Sequence, residues 1–246
     1  MSDPWPTALS AWPTRLPITC TPTRTLTDFQ NTIWLPAAWI ANIGSVLDAN
    51  LNSLRVSDTA GNVIFHKIIR ANTAGTSYLD VKLATTASVE QKMYLYYGNP
   101  GASAPSAADQ AATYDGSFVA VWHLDETGNP AVDATINAIT ASSSGSGSLT
   151  FGTSGQIGNA VRFAGTNVLD ATLNTVYDFN GPWAIEAIVK PDTLTGNQHI
   201  GGNYVATTGH GLFLTTDSAS WKGYPKLTAI SNGVTIFNVV QTSGFA

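Results

Sequence analysis

Apolar and polar residues alternate with a period of two through much of the 246-residue chain. Residues 92–97 (KMYLYY) are the clearest case. Met93, Leu95 and Tyr97 fall on one side and Tyr94 and Tyr96 on the other, as on a strand. Gly98-Asn99-Pro100-Gly101 then stops the pattern with turn chemistry. Upstream, residues 15–21, 31–35, 51–58, 62–69 and 77–83 predict strands, with a turn at 26–29 leading into the second of them. Turn residues separate them at 59–62 and 72–75. Short strands at regular spacing predict a β-sandwich. Residues 38–50 are the ambiguous piece of this upstream part and admit a short helix.

Downstream, residues 106–113 (SAADQAAT) predict two helical turns, with Ser106 as N-cap and Asp109 near the positive end. Alternation resumes at 118–125 and again at 155–165, where Val161 and Phe163 are expected to point inward. Residues 183–192, 211–215, 226–231 and 234–240 predict further strands. Residues 133–147 lose all periodicity, end in SSSGSG, and predict a flexible loop. The expectation is an all-β protein of two sandwich domains. A Pro/Trp-rich arm spans 1–14, a first sandwich 15–105, a linker 106–116 and a second sandwich 117–246.

Composition narrows the function. Charged residues are 11% of the chain, against roughly a quarter in an average soluble protein. Thr, Ala, Ser, Gly and Asn replace them, which suits an extracellular or particle surface. Residues 1–113 carry seven basic and seven acidic residues, so the net charge of −5 belongs wholly to the second half. Without a basic patch, no nucleic-acid partner is expected. No apolar run reaches 18 residues, which argues against membrane insertion. Cys20 is the single cysteine and reads as a buried small hydrophobe. The first 13 residues show neither a basic n-region nor an apolar h-region, so no signal peptide is expected there. Their prolines forbid helix, and Trp5 and Trp12 call for an apolar groove. That makes the arm an expected assembly contact, with docking on its own domain as the alternative.

Catalytic constellations are sparse. A retaining glycosidase needs two carboxyls about 5–5.5 Å apart, which acidic residues two or four apart on a strand would supply. Asp125 and Glu126 are adjacent and point to opposite faces; Glu186 has no such partner. A non-enzyme is therefore expected. His66, His123, His199 and His210 share no zinc spacing, and His123 reads as a satisfied sheet-face residue. Glycan contact needs aromatic platforms flanked by amides, and Asn203, Tyr204, Trp221 and Tyr224 qualify by type.

Two stretches carry a family resemblance. LTDFQNTIWLP, LNSLRVSDTAGNVI and YLYYGNP (residues 94–100) resemble, in order and spacing, the DUF2341 family over about residues 12–105. FVAVWHLDE (118–126), GQIGNAVRFAG (155–165) and WAIEAIVKPD (183–192) resemble a laminin-G-like domain of the concanavalin A-like lectin/glucanase superfamily. The resemblance implies a β-rich module followed by a jelly-roll. It also implies one Ca²⁺ at a loop rim, for which Asp125 and Asp133 are the nearest matches; no other cofactor is expected. Only about 130 residues of the jelly-roll are present. With residues 234–240 (VTIFNVV) apolar and strongly β-forming, an exposed edge there predicts an obligate oligomer or a longer native chain.

Together these imply a virion structural or attachment protein of a tailed bacteriophage, on the head or in a tail appendage. Its expected partners are other virion proteins or itself, and a cell-surface glycan. The expected location is the virion surface after synthesis in the host cytoplasm. The alternative is a glycan-binding module of a bacterial surface adhesin at the cell surface.

Overall fold

A computed structural model describes residues 5–21, 25–72, 75–86, 90–171, 184, 186–190, 192, 198–202, 209–215, 224–231 and 234–240. The described chain is mostly strand, in antiparallel sheets, with little helix. It divides into two compact units, Met1–Val176 and Tyr177–Ala246.

In the first unit, β1 (Thr14–Cys20) and β2 (Leu26–Leu35) precede a short helix α1 (Ala37–Ile43). Then come β3 (Arg55–Asp58), β4 (Val63–Ile64), β5 (His66–Arg70), β6 (Ser77–Thr86) and β7 (Gln91–Tyr97). One sheet has the order β1-β7-β3-β4, the other β2-β6-β5. Ile33, Leu35, Leu79, Val81 and Leu83 of the second sheet share one core with Val56, Met93 and Leu95 of the first. Ile40 of α1 and Leu47, Leu51 and Leu54 after it close that core. The stretch that admitted a helix thus forms one, and its Ile40 is the reason it is held.

The turn expected at 26–29 is instead part of the ten-residue β2. Its turn chemistry survives as a kink: Asp28 has φ 49° and drops out of the register between the Thr27–Thr85 and Phe29–Leu83 pairs. The strand expected at 51–58 begins only at Arg55, because Leu51, at φ 58°, and Leu54 plug the core from irregular backbone. Cys20 is partly buried against the core, and burial raises its thiol pKa.

β7 is buried on both faces, Met93 through Tyr96 in succession. Met93 and Leu95 face the core, while Tyr94 and Tyr96 join a second cluster with Leu9 and Trp12 of the N-terminal arm. The arm turns once as a 3-10 helix, Thr7–Leu9.

The helix α2 (Ala107–Ala111) forms where expected, with the Ser106 side chain accepting from the Asp109 N–H. The compact units do not divide at 106–116: residues 113–123 lie on the first sandwich, as described below. The strand expected at 118–125 is replaced by irregular backbone with one isolated bridge, Trp122–Asp133. Leu124 at φ 58° breaks the extended geometry there, and a side chain, Asp133, takes the Val121 N–H that a neighbouring strand would have taken. Nor is 133–147 the structureless loop its composition suggested. It holds buried Asp133, Ala134, Thr135, Ile139 and Ala141, and runs into β8 (Ala141–Ser144) and β9 (Gly147–Ser154). β9 pairs with β10 (Asn159–Gly165), and β8 with β11 (Val168–Ala171). Phe163, expected inward, is 46% exposed.

Of residues 183–192, those described form no strand, and Ile188 is 73% exposed. No described strand pairs with them. The second unit contains a meander of β12 (Gln198–Gly202), β13 (Gly209–Thr215), β14 (Tyr224–Ser231) and β15 (Val234–Val240), paired in that order with β15 at one edge.

Candidate functional site

Residues directly opposite one another in a ladder share a face. In the sheet β2-β6-β5, Ile33, Leu79 and Ile68 pair on the core side. The outer face is therefore built of three rows: Gln30–Lys82, Thr32–Asp80–Lys67 and Trp34–Tyr78–Arg70, the last with a register shift between Ile68 and Arg70 that brings Arg70 opposite Tyr78. The covering segment reaches Gln30 and Asp80 of the first two rows, while Thr32 and, in the third row, Trp34 stay exposed.

The cover comes from the segment after α2. The Gln30 amide Nε2 donates to the Thr113 carbonyl at 3.0 Å. The Tyr114 hydroxyl donates to Asp80 Oδ2 at 2.7 Å, and Thr32 Oγ1 donates to Asp80 Oδ1 at 2.7 Å. His123 Nε2 lies 2.9 Å from the same Tyr114 oxygen. Tyr114 has one proton and spends it on Asp80, so His123 Nε2 carries a hydrogen and donates. Burial, reinforced by the Asp80 charge, raises the Tyr114 pKa far above its ordinary value. Burial lowers that of His123, working against the Asp80 charge and with the Lys67 charge. The ring is therefore neutral and the phenol protonated near neutral pH. The hydrogen-bonded row acts as a latch that fixes residues 113–123 on the sheet. His123 is a satisfied residue, as its sequence context implied, but on a covering segment and not a sheet face.

Beyond the latch, Trp34 is 63% exposed, and Tyr78 and Arg70 are partly exposed. The signal for Trp34 was present in the sequence. It sits between Ile33 and Leu35, both core residues, so strand alternation turns it outward.

A second feature is a cavity of about 210 Å³ lined by Asn50, Asn52, His66, Ile68, Pro105 and Gln110. His66 is buried at its wall. Its Nε2 lies 3.0 Å from the Leu54 carbonyl and its Nδ1 3.2 Å from the Ile64 carbonyl. Burial lowers its pKa, with both carbonyl contacts opposing. A neutral ring has one N–H and can satisfy only one of those oxygens.

The residues picked from sequence fall elsewhere. Trp12 is buried and donates to the Ser53 carbonyl at 2.6 Å, with the Arg55 guanidinium 5.2 Å from its ring centroid. Trp5 is 40% exposed, donates to the Leu9 carbonyl at 3.0 Å and meets Tyr96 edge-on at 5.4 Å. Arg15 stacks on both Trp5 and Tyr94. Docking on its own domain, the alternative to an assembly contact, thus describes how both arm tryptophans are used.

Asp133 is buried, and its carboxylate accepts four hydrogen bonds. They come from the Val121 and Thr135 N–H groups, the Thr135 hydroxyl and the Ile139 N–H. These donors occupy the lone pairs a Ca²⁺ would use. Asp125 is partly buried, and its carbonyl accepts from the Asn159 amide. Among the described residues, no group of three or more His, Cys, Asp and Glu is placed to hold a metal. Of the glycan candidates, Asn203, Tyr204 and Trp221 lie outside the described residues. Tyr224 begins β14, but its side chain lies outside them too.

Among the described residues no helix is long and apolar enough to cross a membrane. Compared with family models, with curated proteins and with solved structures, the chain shows no match.

Proposed function

We propose that the chain is a non-enzymatic structural or attachment protein of a virion, that of a tailed bacteriophage. In this reading a DUF2341-like sandwich precedes a laminin-G-like jelly-roll of the concanavalin A-like type, which makes contact with surface glycan. What supports the reading is the sequence resemblance of two groups of stretches; of the second group, residues 118–126 and the described part of 183–192 form no strand. YLYYGNP lies on β7 and the turn after it, in the strand buried on both faces. GQIGNAVRFAG is a tight turn, with the Gly155 N–H donating to the Gly158 carbonyl at 2.8 Å, followed by β10. The weakly charged surface supports an extracellular or particle setting.

Proteomics of purified particles tests it: peptides of this chain should co-purify with the particle at stoichiometric abundance. Recovery only from a bacterial envelope fraction would replace the reading with that of an adhesin. Release of reducing sugar from polysaccharides, lost on Glu186→Gln, would overturn its non-enzymatic part.

A further inference from the structure

On the outer face of β2-β6-β5 the covering segment makes no recorded bond to the Trp34–Tyr78–Arg70 row, where Trp34 is 63% exposed. The row left open combines an indole, a phenol and a guanidinium on three adjacent strands. We propose that the Trp34–Tyr78–Arg70 row binds a carboxylated saccharide, the indole stacking on the sugar ring and Arg70 receiving the carboxylate. This goes beyond the reading above, which puts glycan contact on the second sandwich; the row lies on the first.

Size decides against a protein partner. Three side chains across two strand spacings make a ledge roughly 10 Å wide, closed on one side by the Tyr114 latch. A stable protein interface needs roughly 800 Å² from each partner. One tryptophan and its neighbours supply a fraction of that. The ledge does match one or two sugar units, whose C–H faces are flat and apolar while their rims are polar.

Charge selects an acidic sugar. Lys82, on the same face, has its own partner, Asp28 at 3.8 Å. The Asp80 carboxylate, one row away, is taken by Thr32 and Tyr114. Among the described residues no carboxylate lies within ion-pair distance of Arg70. Its stem is seated instead: a Cβ on Gly158 would lie 3.5 Å from Arg70 Cδ, and the glycine sits at φ 91°. The turn that carries Gly158 so supports the aliphatic part of Arg70. The planar guanidinium matches a carboxylate with two parallel hydrogen bonds, which a neutral sugar does not offer.

Calorimetric titration of the intact chain with trigalacturonate, and with maltotriose as the neutral arm, tests the proposal. Trigalacturonate should bind more tightly than maltotriose. Trp34→Ala should weaken trigalacturonate at least tenfold, and Arg70→Gln should erase the preference for the acidic sugar. Trp34 is exposed, so an unchanged melting temperature confirms that its loss spares the fold. Trp221→Ala, in the second unit, should leave trigalacturonate binding as it was. The proposal is overturned if neither sugar binds, or if both substitutions leave binding unchanged. It is equally overturned if only Trp221→Ala abolishes binding, or if Trp34→Ala instead dissolves a dimer. None of these outcomes bears on whether the chain belongs to a particle, which the proteomic test decides separately.

Discussion

In β6 and β7 the backbone is laddered on both sides, and alternate side chains fill a shared core from Ile33 to Leu95. Between residues 117 and 141 the ladder shrinks to two isolated bridges, Trp122–Asp133 and Ala131–Ala141. There the backbone hangs on side chains. Asp133 holds three N–H groups, Asn137 Nδ2 donates to the Val119 carbonyl, and the Trp122 indole donates to the Ile139 carbonyl. Both regions pair backbone polar groups, but by different means, and in the second Glu126 Oε2 is left buried without a partner. The ladder shares its cost over many residues, so one side chain matters through its volume. The hung segment concentrates it, so one carboxylate matters through its charge.

The comparison is broken most directly at Asp133. Asp133→Ala strands three backbone N–H groups and one hydroxyl, and hydrogen bonds to a charged group contribute about 1.5–3 kcal/mol each, though not additively. A loss of about 4 kcal/mol is expected. Leu95→Ala, in the ladder, should cost about 3 kcal/mol by leaving a cavity. Denaturant melts of both variants check the sizes, and hydrogen exchange checks where the damage goes. Asp133→Ala should expose the amides of Val121, Thr135 and Ile139 while β7 stays protected. Uniform loss of protection would mean that the two regions fold as one unit.

That contrast also explains what was legible in the sequence. Strands β1, β6 and β7 follow from alternation, because their inward residues are apolar and alternation is read within each strand, whatever its distant partner. The α2 cap was legible for the same reason: Ser106 and Asp109 act within one turn. Residues 118–125 alternate just as well, yet form no strand, since alternation reports which faces are apolar and not which group takes each N–H. From its sequence context Asp133 reads only as a loop acid. Its role depends on Val121 and Ile139 arriving at the same carboxylate from both sides, 12 residues before it and six after. Trp34 was readable as outward but not as uncovered, because the segment that stops short of it begins some 80 residues later.

A smaller effect is expected at the latch. Tyr114→Phe removes the hydroxyl that Asp80 accepts from and leaves His123 Nε2 without its acceptor. About 2 kcal/mol should be lost, since a buried carboxylate keeps only Thr32. Thr32→Val should cost less, because Thr32 is exposed and water can reach it. If both variants lose equally, the latch adds nothing to the cover, and residues 113–123 are held by the Tyr114–Phe118 edge contact and its neighbours.

Acid should act on both sides of the comparison, through His66 in the laddered sandwich and His123 in the cover. Burial lowers both pKa values, so the folded state keeps these rings neutral. An unfolded histidine takes up a proton near pH 6.5. As pH falls through that value the unfolded chain binds protons that the folded chain does not, and stability declines. It is fully present above about pH 6.5 and decreases below it. Denaturant midpoints should be lower at pH 5.5 than at pH 7.5, and His123→Gln should remove part of the difference. A midpoint that holds or rises at pH 5.5 would contradict the neutral assignment of both rings.

The smallest effect is expected at Ser106, where the two regions join. Its hydroxyl accepts from the Asp109 N–H at 3.1 Å and donates to Asp109 Oδ2 at 2.8 Å. Loss of such a cap costs about 1 kcal/mol. The exposed site should bring the cost of Ser106→Ala to the lower end of that range. The helix it caps has five residues and leads directly to Thr113 and Tyr114. Fraying α2 therefore loosens the ends of both the Gln30–Thr113 and the Asp80–Tyr114 contacts. Exchange at the Asp109 amide should accelerate several-fold, with a weaker rise on the outer face of β6. An acceleration confined to Asp109 would show that the latch holds the cover without help from the helix. In that case the join between the two regions lies at Tyr114 and not at α2.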